Sequence, residues 1–325
     1  MNKAKPVVIF FVKLLVSAGL LAYFLSRVDM TRVLQIFASA QLSYIALALG
    51  IYLVAQTFSA VRWTALARPL GIETPFKNLI QYYLIGMFFN LFAPSTVGGD
   101  VTRVYFLVKD DDKGEKGRAV SAVHAAISVL MDRAIGMVVL VWLGALGLLL
   151  FPYYAVPQTV RSVTLLLALG LLIGALLTPL LRRLLPEDGH QLVVKLRLAM
   201  RSYRSHWRAL AGAAALSLLI HLIQAWMHAV MGRALDLEVP FSFCLIVYPL
   251  VGTFAAIPIS LNGLGLREGG YIFLLAAIGI GTEKGIAFGM LLFLIIVIDS
   301  LVGGLLFLFQ QTLRSPTPQK ASQIR

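Results

Sequence analysis

The chain has 325 residues, 59% of them hydrophobic and 13% charged, with a mean hydropathy of +0.85 and a formal net charge of +13. That is too little charge for a soluble domain, and several runs of about 20 apolar residues match the roughly 30 Å hydrocarbon layer of a bilayer. The composition therefore specifies a polytopic α-helical membrane protein; the absence of sustained period-two alternation excludes a β-barrel, and the single cysteine, Cys244, excludes an intrachain disulfide.

In chain order, the first predicted span covers 7–26, behind Lys3 and Lys5. No cleavage site marks it as a signal peptide, so it is read as a retained helix. The second span, 42–67, carries Tyr52, Gln56 and Ser59 on one face, with Arg62 nearby. The next apolar stretch, 79–107, is interrupted by the segment "NLFAPSTVGGDVTRVYF" at 90–106. Its halves are too short to cross a bilayer at about 1.5 Å per residue, which predicts a helical hairpin entering and leaving on one side. A mixed-charge loop with acids at 110–112 follows and reads as a solvated turn.

The third span, 119–150, carries Asp132 and Arg133, and the fourth, 157–180, follows the short loop "FPYYAVP". From 190 to 208, apolar residues at helical spacing alternate with Lys195, Arg197, Arg201, Arg204 and Arg208. This pattern fits either an interfacial helix on anionic lipid or an ordinary basic loop. The fifth span, 209–231, aligns Ser217, His221, Gln224 and His228 on one face. A second interrupted stretch, 241–281, contains "AAIPISLNGLGLREGGYIF" at 255–273, and the sixth span, 284–311, holds Asp299 near its middle.

Charge placement orients these elements. With the N-terminus cytoplasmic and both interrupted stretches re-entrant, the inside collects Lys3, Lys5, the basic loop at 109–118 and the run 182–208. The outside then holds only Arg27, Arg32, Arg161, Arg233 and Lys284. This is the positive-inside distribution, so the basic excess is a topology signal and not a nucleic-acid footprint. Both termini are expected in the cytoplasm.

The two interruptions repeat each other. Pro94 precedes Arg103 by the same interval as Pro258 precedes Arg267. Gly98 and Gly99 fall between the first pair, Gly263 and Gly265 between the second, and each arginine has a nearby acid, Asp100 or Glu268. Each break follows two spans and precedes one, and the two halves start from opposite faces. The expected fold is therefore six transmembrane helices plus two re-entrant helical hairpins in an inverted repeat, residues 1–150 and 151–312, with a short cytoplasmic tail at 313–325. Paired, Gly/Pro-interrupted segments of this kind point to a transporter's binding site.

Each break has a physical reading. Proline ends the first arm, the glycines allow the reversal, and the free N–H groups opening the second arm favour an anion. Arg103 and Arg267 are suited to grip a phosphate bidentately; the alternative is that they only pair with Asp100 and Glu268 to hold the tips. Contacts across the repeat are expected, Asp100 with Arg267 and Glu268 with Arg103. Buried ionisable and polar groups elsewhere in the membrane are functional candidates by cost. They are Arg62, Asp132, Arg133, His221, Gln224, His228 and Asp299, as cavity-lining or proton-coupling residues. Interhelical hydrogen bonding is the structural alternative for the polar stripes. Neither a metal site nor a cofactor is expected.

The segments "FNLFAPSTVGGDVTRVYFL" and "IPISLNGLGLREGGYIF" resemble the paired signatures of the lysylphosphatidylglycerol synthase transmembrane family, the flippase-like membrane portion of the bacterial multiple peptide resistance factor. The resemblance runs over about residues 7–311. It implies one half-site from Pro94, Gly98, Gly99, Asp100 and Arg103, and another from Asn262, Gly263, Gly265, Arg267 and Glu268. It also implies lipid translocation in a bacterial inner membrane. Only twelve residues from Arg314 onward follow the last span, too few for the soluble aminoacyl-transfer domain of the full synthase. The expected function is thus a lipid flippase and not an enzyme, with a phosphate-bearing lipid as its partner and the oligomeric state left open. The alternatives are a membrane-embedded enzyme of phospholipid or polyprenyl-phosphate metabolism and a non-catalytic subunit of a lipid or glycan assembly complex.

Overall fold

The computed structural model describes residues 4–26, 28–92, 98–111, 121–184, 202–257, 259–260 and 263–314. Pro94, Pro258, Asn262 and most of the basic segment 190–208 lie outside these residues. The described residues form helices and connecting turns, with no strand among them.

The helices are α1 (Ala4–Leu25), α2 (Met30–Ala38), α3 (Leu42–Ala67), α4 (Phe76–Phe92), α5 (Gly98–Asp111) and α6 (Ala122–Leu150). They continue with α7 (Gln158–Leu184), α8 (Trp207–Ala234), α9 (Phe241–Ala255), α10 (Leu266–Leu275) and α11 (Thr282–Arg314). Among the described residues, α3, α6, α7, α8 and α11 are long and apolar enough to cross a membrane, and α1 with α2 makes a sixth candidate bent by 87°. Five of the six predicted spans have a counterpart here; the first, 7–26, has one only where α1 and α2 are taken as a single bent span. Helix α2 is an addition: Asp29 caps it by accepting the Thr31 N–H at 2.9 Å, which also holds the Asp29 carboxyl below its ordinary value. Both interrupted stretches are pairs of shorter helices, α4 with α5 and α9 with α10.

Helices α3 and α8 pack along each other antiparallel, and they are tied at three levels. At one end the Gln41 N–H donates to the Ala234 carbonyl (2.8 Å). Midway, Arg62 Nη1 donates to Ser217 Oγ (2.9 Å). At the other end the Tyr203 hydroxyl donates to the Leu66 carbonyl (2.8 Å). The polar stripes read from the sequence on these two helices meet at Arg62 and Ser217, while His221 and His228 turn to other helices. Around this pair, α4 packs on α11 and α9 on α6, α5 on α6 and α10 on α11. The buried apolar residues form two groups, one around Trp63, Leu79, Tyr82 and Leu107, the other around Phe243, Val247, Tyr271 and Phe288.

Glycines set the closest crossings. A Cβ at Gly303 would overlap the Leu84 carbonyl of α4, and one at Gly304 would lie 2.7 Å from the Phe88 ring. On the other side, Cβ atoms at Gly144 and Gly147 of α6 would meet Leu250 Cδ1 at 2.9 Å and the Leu245 carbonyl at 2.8 Å on α9. Small residues let membrane helices approach to backbone contact, where dispersion replaces the hydrophobic drive that lipid does not supply. After α6, Arg161 donates to the carbonyls of Leu148 (2.8 Å), Pro152 (3.3 Å) and Tyr154 (3.4 Å), satisfying the end of that helix.

Gly303→Ala is expected to destabilise the protein by about 1–3 kcal/mol, since the obstacle is backbone and cannot rotate away. Gly170→Ala on α7, where nothing lies within 4 Å of the added carbon, is expected to be neutral. Thermal unfolding of the two variants in detergent, followed by tryptophan fluorescence, checks the contrast.

Candidate anion-binding site

The opening of α5 is built against α4. Asn90, near the end of α4, accepts the Gly99 N–H on its Oδ1 at 2.8 Å, so a side chain satisfies one of the free donors at the N-terminus of α5. A Cβ at Gly99 would overlap the Gly86 carbonyl, and one at Gly86 would lie 3.0 Å from the Gly99 carbonyl and Arg103 Cγ. Gly98 and Gly99 are helical and have no positive φ, so in this stretch the expected reversal role is replaced by close approach of two backbones. In the second stretch the reversal role holds: Gly263 and Gly265 have φ of 76° and 83°, a region costly for residues with a Cβ.

Asp132 of α6 is the centre of the first site. Its Oδ1 accepts from Arg62 Nε of α3 at 2.8 Å and its Oδ2 from Arg103 Nη2 of α5 at 3.0 Å. Arg103 also lies 3.8 Å from Asp100 Oδ1, one turn before it, and the other oxygen of Asp100 pairs with Arg133 Nε. Arg62, Arg103 and Asp132 are all buried. The Arg103 guanidinium lies against two rings, 4.0 Å from the centroid of Trp63 and 4.6 Å from that of Tyr83. Trp63 is itself fixed by its indole N–H donating to Ser128 Oγ (3.1 Å).

A cavity of about 130 Å³ opens onto Arg62, Tyr83, Asn90, Asp100, Arg103 and Arg133. The two buried guanidinium groups, Arg62 and Arg103, are matched by Asp132 and Asp100, while Arg133 is exposed. The Arg103 Nε–H is buried without a partner among the described residues. A cavity lined by guanidinium groups, one of them with an unused donor, is suited to an oxyanion.

The sequence candidates divide. Arg62, Asp100, Arg103, Asp132 and Arg133 come together, with Gly98 and Gly99 opening the same helix. His221 lies beside them: its Nε2 faces the Gly136 carbonyl (2.9 Å) and so carries the hydrogen, while Nδ1 accepts from the Tyr248 hydroxyl (2.8 Å). His228 takes the opposite tautomer, donating from Nδ1 to the Gln224 carbonyl (2.7 Å) and accepting at Nε2 from the Tyr271 hydroxyl (2.7 Å). Gln224 is buried on the same face. Glu268 curls back over the start of α10 and accepts the Gly265 N–H at 2.6 Å. It lies 3.8 Å from Arg267 Nε. The expected contacts of Asp100 with Arg267 and of Glu268 with Arg103 are therefore not the ones formed. Asp132 takes Arg103, and the helix cap keeps Glu268 within its own arm. Trp63, Tyr83, Asn90 and Ser217 were not among the predicted site residues; Asn90 opens the quoted motif and Ser217 the polar stripe, whereas the two rings carry no signal distinguishing them from other membrane aromatics.

Asp132→Ala is expected to cost about 3–5 kcal/mol by leaving two buried guanidinium groups unpaired. Adding Arg62→Met is expected to restore part of that loss. Chemical denaturation of the single and double variants in detergent measures the coupling.

Comparison with known proteins bears on this geometry. The family described as "Lysylphosphatidylglycerol synthase TM region" matches residues 10–303. A UPF0104 membrane protein of Methanocaldococcus jannaschii is 26% identical over 132 residues, 40% of this chain and 37% of the relative. A UPF0104 membrane protein of Pyrococcus horikoshii is 27% identical over 95 residues, 29% of this chain and 28% of the relative. The matched segments thus span about a third of each curated relative. The family match takes in α1 to most of α11, including both broken stretches and every residue of the arginine–aspartate cluster, and the chain belongs to the lysylphosphatidylglycerol synthase transmembrane-region family.

Proposed function

We propose that this protein moves a lipid with a phosphate-bearing headgroup across the bilayer, and that the cluster around Asp132 receives the phosphate. The observation that carries this reading is the set of guanidinium groups, Arg62, Arg103 and Arg133, around a cavity at the start of a short membrane helix, with the Arg103 Nε–H buried without a hydrogen-bond partner among the described residues. A buried donor without a partner is costly, and guanidinium groups match the geometry of a phosphate better than an ammonium does. At about 130 Å³ the cavity is well below the roughly 300–1,000 Å³ of pockets that enclose a whole small molecule. It suits a headgroup oxyanion with the acyl chains left in lipid.

In the same reading, residues 1–150 and 151–312 are inverted copies whose hairpins, α4–α5 and α9–α10, enter from opposite faces. The packing supports this. Exchanging the halves turns α4 on α11 into α9 on α6 and α5 on α6 into α10 on α11, and all four contacts are present. The Tyr154 hydroxyl bonds Ser242 Oγ at 2.7 Å, which ties the 151–157 loop to the start of α9 and supports a shared face for them. Both termini would face the cytoplasm of a bacterial cell by the placement of basic residues. Gly263, Gly265, Arg267 and Glu268 would form the second half-site. The family matched is a membrane region, which supports translocation without covalent change of the lipid.

Two experiments test the proposal. Proteoliposomes of phosphatidylethanolamine and phosphatidylglycerol with a fluorescent phosphatidylglycerol are expected to show protein-dependent lipid movement and no new lipid species by mass spectrometry. Arg103→Lys, which keeps the charge but not the planar fork, is expected to slow movement about tenfold, equivalent to about 1.4 kcal/mol or roughly one charge-assisted hydrogen bond. A converted lipid product overturns the reading. For topology, Cys244 is buried, which permits added single cysteines to be probed on the native background. Cysteines at Thr74 and Lys109 are expected to react from one side of the membrane, and those at Glu238 and Glu283 from the other. Labelling of Thr74 and Lys109 from opposite sides rules out re-entrance of the first hairpin.

A further inference from the structure

The two long helices that follow the broken stretches each bury one aspartate, Asp132 on α6 and Asp299 on α11. Their surroundings differ. Asp132 is bracketed by two arginines. Asp299 is 5% exposed, forms no ion pair among the described residues, and has its Oδ2 buried without a hydrogen-bond partner.

Most charged and titratable groups on the neighbouring helices have partners of their own; the exception is Arg267 of α10, whose Nε is buried without a hydrogen-bond partner among the described residues. Arg62 of α3 belongs to Asp132, Glu268 of α10 to the Gly265 N–H, and His228 of α8 to Gln224 and Tyr271. Arg267 of α10 is nearest in charge to Glu268. Tyr52 of α3 shares its electrostatic surroundings with both Asp299 and Arg267, and also with Tyr83 at the first site. Tyr83 lies on α4 and lines the first cavity. On α2, Asp29 and Arg32 are exposed and pair with each other at 3.6 Å.

Position on the helix adds the second argument. Helix α11 touches both hairpins, each through glycine. Gly285 and Gly289 bring it against Ile272 and Glu268 of α10, at 2.9 Å and 3.2 Å for the added carbon. Gly303 and Gly304 bring it against Leu84 and Phe88 of α4. Asp299 lies between these two contacts. A carboxylate at such a place is tolerated as the acid when the surroundings are dry and as the anion when water reaches it. Its charge therefore follows the access of water between the hairpins.

Resting on the lipid-translocation reading, we propose that Asp299 is the proton site of the transport cycle: its carboxylate takes a proton from water on one side of the membrane and gives it up to water on the other, so that a proton gradient drives lipid movement. Asp132 does not serve this purpose, because both of its oxygens are already occupied by Arg62 and Arg103.

The test uses full-length protein in vesicles of phosphatidylethanolamine and phosphatidylglycerol. An imposed pH gradient is expected to accelerate movement of fluorescent phosphatidylglycerol in the wild type and in Asp299→Glu, and the response is expected to be lost in Asp299→Asn. A pH-gradient response preserved in Asp299→Asn overturns the proposal. An independent reading comes from pH-difference infrared spectra of the purified protein. A buried protonated-carboxyl band is expected in the wild type and absent from Asp299→Asn. A band that persists in that variant, or is missing from the wild type, also overturns it. If the lipid reading itself fails, the wild type moves no lipid at any pH, and the infrared arm still decides whether Asp299 exchanges a proton.

Discussion

The structure depends on one buried carboxylate. Asp132 joins α6 to α3 through Arg62 and to α5 through Arg103, and Arg62 continues to α8 through Ser217. The two oxygens of this single side chain thus join α6 to α3 and α5, and Arg62 extends the link to α8. In a membrane interior the acid and the arginines are each costly alone. Together they satisfy one another, and the arrangement is strict: loss of any member leaves an uncompensated charge. That strictness fixes where the opening of α5 sits relative to the α3–α8 pair, and so fixes the shape of the cavity beside it.

The rings on Arg103 make the same point at smaller scale. Trp63 and Tyr83 both lie against the guanidinium, their centroids 4.0 Å and 4.6 Å from it. Two nitrogens are spent on Asp132 and Asp100, and Nε is left over. A lysine offers a point charge with no preferred plane, so it would keep the electrostatics and lose the orientation.

Glycine does three separate jobs. At Gly263 and Gly265 it permits a left-handed backbone in the turn before α10. At Gly86 and Gly99 it lets two arms touch along their backbones. At Gly303 and Gly147 it lets a long span press against the first arm of a broken stretch belonging to the other half of the chain. The last arrangement makes each broken stretch lean on the opposite half. A shift in α11 or α6 is therefore passed to a hairpin through backbone contact, which deforms little.

The sequence by itself determined the membrane class, five of the spans, two interruptions and the residue types at the breaks. Those follow from local rules: apolar length against bilayer thickness, and proline or glycine against helix continuity. It also marked Arg62, Asp100, Arg103, Asp132 and Arg133 as costly enough to matter, because an ionisable group in a membrane segment is conspicuous without any knowledge of its partner. The partners came only from tertiary structure. Arg103 meets Asp132 instead of Glu268, and Trp63 and Tyr83 rather than other rings close on it, because these pairings depend on which faces α3, α4, α5 and α6 turn toward one another. The contrast between Asp132 and Asp299 is of the same kind. Each read in the sequence as an acid in an apolar helix, Asp132 with Arg133 beside it, and only the packing of the surrounding helices gave Asp132 the arginines of two other helices and left Asp299 without an ion pair among the described residues.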